Sequence, residues 1–222
     1  MRWIKICGIT NLEDAERAVS LGTDALGFVF AESRRRIEPE EAKRIIAALP
    51  RKVEKIGVFY NQDLSEVRRI GEYCRLDYFQ LHGEESMEYC RALAPGRIIK
   101  GIRVRKPEDS ANYERYFTVK NVERILLDSF VEGNPGGTGE RLNWRDWQEK
   151  LLQIPLPVII AGGINKDNLI ELQRELKPWG IDLSSGVEQA PGKKDKKKLE
   201  ELFALYKEIR KSEKSFRGDG EL

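Results

Sequence analysis

One histidine, three cysteines and two methionines are all that 222 residues contain of those types, and each scarcity removes a class of function. The lone His82 cannot furnish the several imidazole ligands that a metal-dependent sugar epimerase needs. Cys7, Cys74 and Cys90 are odd in number and no two share a Cys-x-x-Cys spacing, so reduced thiols are expected rather than a disulfide framework or a zinc cluster. No apolar run approaches ~18 residues, the length a membrane-spanning helix requires. Lys5 and Gly8 interrupt the segment where a signal peptide would carry its apolar region. A cytoplasmic protein without a membrane partner is therefore expected. An excess of charge is missing too: 39 basic and 37 acidic side chains leave a net +2, which gives no general electrostatic grip on nucleic acid.

What is present is alternation. Eight short apolar runs recur: WIKIC (3–7), DALGFVF (24–30), VEKIGVF (53–59), DYFQL (77–81), RIIKGI (97–102), RILLD (124–128), PVIIA (157–161) and GIDLS (180–184). Their near-continuous apolarity suits parallel strands covered on both faces. Between them lie amphipathic stretches. Ala42, Ile45, Ile46 and Leu49 follow helical spacing between Pro39 and Pro50, and Leu64, Val67, Ile70 and Cys74 form a similar stripe behind Asp63 as a cap. Asp167 is placed to cap a helix carrying Leu169, Leu172 and Leu176. A last apolar face runs through Leu199, Leu202, Phe203, Tyr206 and Ile209. The weakest helical pattern follows RIIKGI, in PEDSANYERYF. Eight such units in about 210 residues favour an α/β fold of one domain, a closed (β/α)8 TIM barrel over residues 1–210, over an open doubly wound sheet. Residues 211–222 read as a frayed polar tail.

In such a barrel the strand ends and the loops after them share one face. Cys7 then stands at the first strand end beside Gly8, a residue that lets a ligand approach the backbone. Asp128 stands at the sixth, and the two are the candidate acid–base pair: a thiolate becomes a base where cations favour it, and a carboxyl becomes an acid where burial raises its pKa. The residues alone leave a second reading, Cys7 as a small buried hydrophobe and Asp128 as a loop cap or ion pair. Gly162 and Gly163 in AGGIN, and Ser184, Ser185 and Gly186 in SSGVE, follow strands seven and eight, where barrels often hold a phosphate on backbone N–H groups. Gly137, within GGTG at 136–139, offers further amides. Arg34, Arg35 and Arg36 supply guanidinium groups matched to a carboxylate. His82 suits a ligand contact or a hydrogen-bonded support. Cys74 and Cys90 sit on helical apolar stripes and read as core, and KKDKKK (193–198) reads as the solvated opening of the last helix.

KICGITNLEDA, SRRRIEPEEA, LLDS, GGTG, AGGIN and DLSSGVEQAPGKKD, in that order from residue 5 to about 195, resemble the phosphoribosylanthranilate isomerase family of tryptophan biosynthesis. The resemblance implies a (β/α)8 fold and an Amadori rearrangement of an aminoaldose to 1-(2-carboxyphenylamino)-1-deoxyribulose 5-phosphate. It implies Cys7 as general base, Asp128 as general acid and Arg35 as the holder of the anthranilate carboxylate, with Arg34 and Arg36 as the alternatives. No metal and no organic cofactor is implied, because the iminium nitrogen is itself the electron sink. The expected partner is a phosphorylated small molecule, and both a monomer and a homodimer fit. The rival readings are another phosphosugar barrel enzyme and a catalytically silent protein that binds a phosphorylated ligand.

Overall fold

Strand β1 (Trp3–Cys7) shows how the apolar runs are used. Its side chains alternate between two cores. Ile4 and Ile6 join the large cluster that also contains Ala15, Ala18, Leu199, Leu202 and Phe203 from the helices, whereas Trp3 joins an inner cluster with Ile56, Tyr78, Ile99, Leu126 and Ile159. A strand covered on both faces is apolar along nearly its whole length, as the sequence reading expected, and Lys5 is the exception in this one. In the computed structural model, which describes residues 1–104, 113–129 and 144–218, this pattern repeats through β2 (Ala25–Val29), β3 (Glu54–Phe59), β4 (Tyr78–Leu81), β5 (Ile98–Val104), β6 (Val122–Ser129), β7 (Val158–Ala161) and β8 (Gly180–Leu183). The eight strands are parallel and close in sequence order, with β8 pairing back onto β1.

The surrounding helices are α1 (Leu12–Leu21), α2 (Pro39–Ala48), α3 (Leu64–Cys74), α4 (Met87–Ala92), α5 (Gln148–Gln153), α6 (Leu169–Leu176) and α7 (Lys196–Gly218). Asn11 caps α1 by accepting from the Asp14 amide, and Gly22 ends it in the left-handed region at φ 102°. Two expected caps differ. Asp63 occupies the N-cap of α3 without a side-chain bond to it. For α6 the N-cap is Asn168 rather than Asp167. Asn168 is fully buried, and its amide bridges the Gly163 carbonyl (2.9 Å) and the Asn165 N–H (3.0 Å), so it serves the preceding turn instead of the helix.

Elsewhere the helical layer is thin. After β5 the described chain forms only a 3-10 turn (Glu114–Thr118), and after β8 a hairpin of β9 (Glu188–Ala190) and β10 (Lys193–Lys194) precedes α7. Helix α7 continues to Gly218, past residue 210 where the tail was expected to leave the fold. Among the described residues no helix is long and apolar enough to cross a membrane.

The barrel floor, at the amino ends of the strands, is closed by Arg124. Its two Nη atoms reach the Glu54 carboxylate at 2.6 and 2.7 Å, and its guanidinium lies 4.3 to 5.0 Å from the ring centres of Tyr78, Trp179 and Trp3. Arg124→Ala would strip Glu54 and the Trp3 and Trp179 rings of their cation, while Tyr78 keeps Arg97 over its ring at 4.1 Å. The expected cost is about 3 kcal/mol in urea unfolding, with any activity nearly unchanged, because the candidate acid–base pair stands at the opposite, carboxyl ends of the strands.

Candidate active site

Cys7 ends β1 with its side chain turned to the barrel interior, in a small cluster with Val29, Ala31 and Val58. Two residues earlier on the same face is Lys5, fully buried, with Nζ 2.8 Å from Asp182 Oδ2 and 2.7 Å from Gln80 Oε1 and with the Cys7 thiol beside it. The opposing position on β2 has to be glycine. A Cβ on Gly27 would lie 2.7 Å from Lys5 Cε and 2.8 Å from Cys7 Sγ. Burial works to lower the Lys5 ammonium, yet Asp182 and Cys7 outweigh it and the net direction is upward. For Cys7, burial pushes the thiol up; Lys5 and Lys194 pull it back without cancelling that effect. Cys74 and Cys90 are buried on α3 and α4, and burial pushes both thiols up to about 11.

Lys194 corrects the expectation of a wholly solvated KKDKKK run. Its side chain is fully buried, with Nζ on the Cys7 carbonyl and 2.7 Å from Glu188 Oε1. Burial holds the Lys194 ammonium below the ordinary lysine range more strongly than Glu188 lifts it. For Glu188 the balance is reversed: burial raises it, but Arg35 and Lys194 together hold it below the usual carboxylate range. The asymmetry arises because Arg35 attracts Glu188 and repels Lys194.

Of the three arginines after β2, only Arg35 turns inward; Arg34 and Arg36 are exposed, and Arg36 pairs with Glu38 at 3.3 Å. Nε and Nη2 of Arg35 grip both Glu188 oxygens at 2.7 to 3.1 Å. The Arg35 stem also explains Gly8, at φ +76°, where a Cβ would lie 2.7 Å from Arg35 Cδ. Gly8 therefore admits an arginine side chain to the β1 end, where the sequence had suggested a ligand.

Asp128 near the end of β6 is 30% exposed in its side chain, and Oδ2 lies 3.1 Å from His82 Nε2. His82 follows β4, with Nδ1 3.0 Å from Gln80 Nε2. On β5, a Cβ on Gly101 would come within 2.6 Å of His82 Nδ1, so a larger residue there would displace the ring.

After β7, Gly162 and Gly163 take φ 89° and 62°, conformations that side chains resist, and nothing lies within 4 Å of where a Gly163 Cβ would be. After β8, Ser184 leads into a short 3-10 turn (Ser185–Val187). A Cβ on Gly186 would sit 1.9 Å from the Ile164 carbonyl oxygen. That glycine is required for the two loops to touch, a reason different from the anion approach expected for it. The Ser184 hydroxyl oxygen is buried with no hydrogen-bond partner among the described residues. Gly137 and the rest of GGTG lie outside the described residues.

A cleft of about 790 Å³ lies on the flank, lined among others by Asn11, Asp14, Arg17, Asp195 and Glu200, but not by Cys7, Arg35, His82 or Asp128. Sequence reasoning missed Lys5, Gln80, Asp182, Glu188 and Lys194. For the first three a signal existed: each is a polar residue inside an otherwise apolar run, on the strand face that points inward. Glu188 and Lys194 carried none.

The model of the family described as N-(5'phosphoribosyl)anthranilate (PRA) isomerase matches residues 4–204. A curated relative from Citrifermentans bemidjiense, named N-(5'-phosphoribosyl)anthranilate isomerase, is 45% identical over 94% of this chain and 98% of its own length. The crystal structure of phosphoribosyl anthranilate isomerase from Thermotoga maritima is 37% identical, covers 93% of this chain and 99% of that one, and superposes with a TM-score of 0.84. A solved isomerase in complex with reduced 1-(O-carboxyphenylamino)-1-deoxyribulose 5-phosphate is 36% identical, with the same coverage and a TM-score of 0.81.

Proposed function

We infer the roles of these residues from one premise: the chain belongs to the N-(5'-phosphoribosyl)anthranilate isomerase family. It is an isomerase of tryptophan biosynthesis that acts on a phosphorylated small molecule, converting the aminoaldose to the aminoketose 1-(2-carboxyphenylamino)-1-deoxyribulose 5-phosphate. The assignment of the individual groups is our reading. Asp128 gives its proton to the furanose ring oxygen; the C1–O bond breaks, and the nitrogen lone pair forms the iminium. The Cys7 thiolate removes the proton from sugar C2, and that electron pair moves into the C1–C2 bond as the iminium returns to a neutral amine. The resulting enolamine becomes the ketone by losing its O2 proton and gaining one at C1. The nitrogen accepts the electrons throughout, so the scheme calls for neither metal nor organic cofactor.

The observation that carries this reading is the setting of Cys7, which has the buried Lys5 ammonium beside its thiol over Gly27 and a second buried ammonium, Lys194, on its carbonyl. Support for the phosphate position comes from the joined loops at Gly163 and Gly186 and from the unpartnered Ser184 hydroxyl. Ser185 and Gly162 belong to the same cradle in this reading. Arg35 offers the substrate carboxylate its Nη1 side, since Glu188 occupies the Nε–Nη2 edge. All these groups come from one chain, so a monomer and a homodimer serve equally, and a cytoplasmic location fits a biosynthetic step on a soluble metabolite.

The test is to generate phosphoribosylanthranilate in situ and follow the loss of its fluorescence. Wild-type protein should accelerate that loss, and no acceleration would refute the scheme. Arg35→Ala should raise KM about 10- to 100-fold, the worth of a charged hydrogen bond of about 1.5–3 kcal/mol, with a smaller change in kcat. Glu188 keeps Lys194 as a partner in that variant, so the fold should survive. An unchanged KM would place the carboxylate elsewhere.

A further inference from the structure

Lys5 is a primary ammonium with three N–H groups and no acceptor. Fully enclosed, it donates to Asp182 Oδ2 and Gln80 Oε1 and lies beside the Cys7 side chain. Taking a cation out of water is costly, and the barrel holds this one at its centre, within one residue's reach of the proposed base. The consequences run further than Cys7.

Since an ammonium only donates, the Gln80 atom facing it is the amide oxygen. The Gln80 NH2 is therefore turned to His82 Nδ1 at 3.0 Å. An amide NH2 only donates as well, so Nδ1 is the bare, accepting nitrogen and the single ring proton sits on Nε2. Nε2–H then donates to Asp128 Oδ2 at 3.1 Å. Each direction along the row follows from the one before it, and the first is dictated by Lys5. Gly101 leaves the space in which the ring holds this orientation.

We propose that Lys5, Gln80 and His82 are positioning residues that fix His82 as its Nε2–H tautomer, so that Asp128 Oδ2 always accepts and Oδ1 is the oxygen that delivers the proton to the substrate. The inference rests on the reading of Asp128 as the acid. When the Oδ1–H bond breaks and the new O–H forms on the sugar, the electron pair stays on the carboxylate. The Nε2–H bond to Oδ2 then becomes charge-assisted and roughly twice as strong as a neutral one. The row thus stabilises the charge as it develops, with no reorganisation at the moment of transfer. One buried cation both favours the thiolate and orients the acid.

His82 is the single histidine of the chain, so the ring nitrogens of the full-length protein, labelled with 15N at histidine, report the tautomer without overlap. Wild type should show Nε2 protonated and Nδ1 bare. Gln80→Glu keeps the shape and still accepts from Lys5, but it presents an acceptor to the ring. Nδ1 should then become protonated, and kcat should fall about 10²-fold, a part of what a general acid contributes, with a much smaller change in KM. His82→Gln retains an N–H for Oδ2 and should recover most of the kcat that His82→Leu loses, which tests the role even if Gln80→Glu does not fold. A wild-type ring protonated at Nδ1 would overturn the proposal, as would equal kcat in His82→Gln and His82→Leu. A wild-type Nε2–H signal together with a fully active Asp128→Asn would instead remove the acid assignment on which the proposal rests.

Discussion

Cys7→Ala should lower kcat by about 10²–10⁴-fold, the usual contribution of a general base, while KM moves little. The substitution is small and the site forgiving. Cys7 packs with Val29, Ala31 and Val58, and alanine leaves the Lys5 bonds to Asp182 and Gln80 in place. A loss of activity with circular dichroism and urea unfolding close to wild type would locate the defect in chemistry rather than folding. The pH dependence has a definite sign. A base works deprotonated, and burial pushes the Cys7 thiol above its ordinary range despite Lys5 and Lys194. Below that pKa the thiolate fraction, and with it kcat/KM, should rise about tenfold per pH unit, so the wild-type profile should climb into the alkaline range. Cys7→Ala should lose that limb. A Cys7→Ala enzyme with wild-type kcat would end the role of the sulfur whatever the fold.

Asp128→Asn should cost a similar factor of about 10²–10⁴ in kcat. Asparagine has almost the same shape and keeps an oxygen for His82 Nε2–H, so the hydrogen bond seen at 3.1 Å can persist. What is lost is the carboxyl proton. In the proposed scheme the loops at Gly163 and Ser184 and the Arg35 guanidinium hold the substrate and are untouched by this substitution, so KM should stay within a few-fold of wild type, measured in the same fluorescence assay. A large rise in KM with kcat preserved would mean that Asp128 holds the sugar and does not protonate it.

The barrel was legible in the sequence because the signal is one-dimensional. Parallel strands covered on both faces are near-continuously apolar, and WIKIC, VEKIGVF and DYFQL gave their strands to within one residue. RILLD was two residues short at its amino end, where Val122 and Glu123 belong to the strand. Glu123 is a charged residue outside the apolar run, and it is held by Arg97 at 2.8 Å and by Tyr78 at 3.0 Å, contacts that composition cannot reveal. The positions of Cys7 and Asp128 followed from the strand ends.

Their surroundings did not. Lys194 was hidden by its own neighbours, because a charge run looks solvated and nothing local marks one member as buried against a carbonyl 187 residues away. The resemblance pointed to Arg35 with its two neighbours as alternatives, and that Arg35 is the one turned inward was visible only once Glu188 and Gly8 were seen to receive it. Gly186 was singled out for anion approach, and the sequence could not show its second constraint, the carbonyl of Ile164 on another loop. Lys5, Gln80 and Asp182 were readable in principle. A lysine in the middle of an apolar strand needs buried partners, and inward-facing polar residues on β4 and β8 were the candidates.

The most direct measurement is a crystal structure of this chain with the reduced aminoketose phosphate whose complex with a relative is known. The account predicts the phosphate on the Gly163 and Ser184 loops and the carboxylate on Arg35. It also predicts the carbon corresponding to sugar C2 about 3–4 Å from Cys7 Sγ, near-attack distance, with the former ring oxygen facing Asp128 Oδ1. A ligand with its phosphate on other residues, or with Cys7 and Asp128 out of reach of the sugar, would contradict the account.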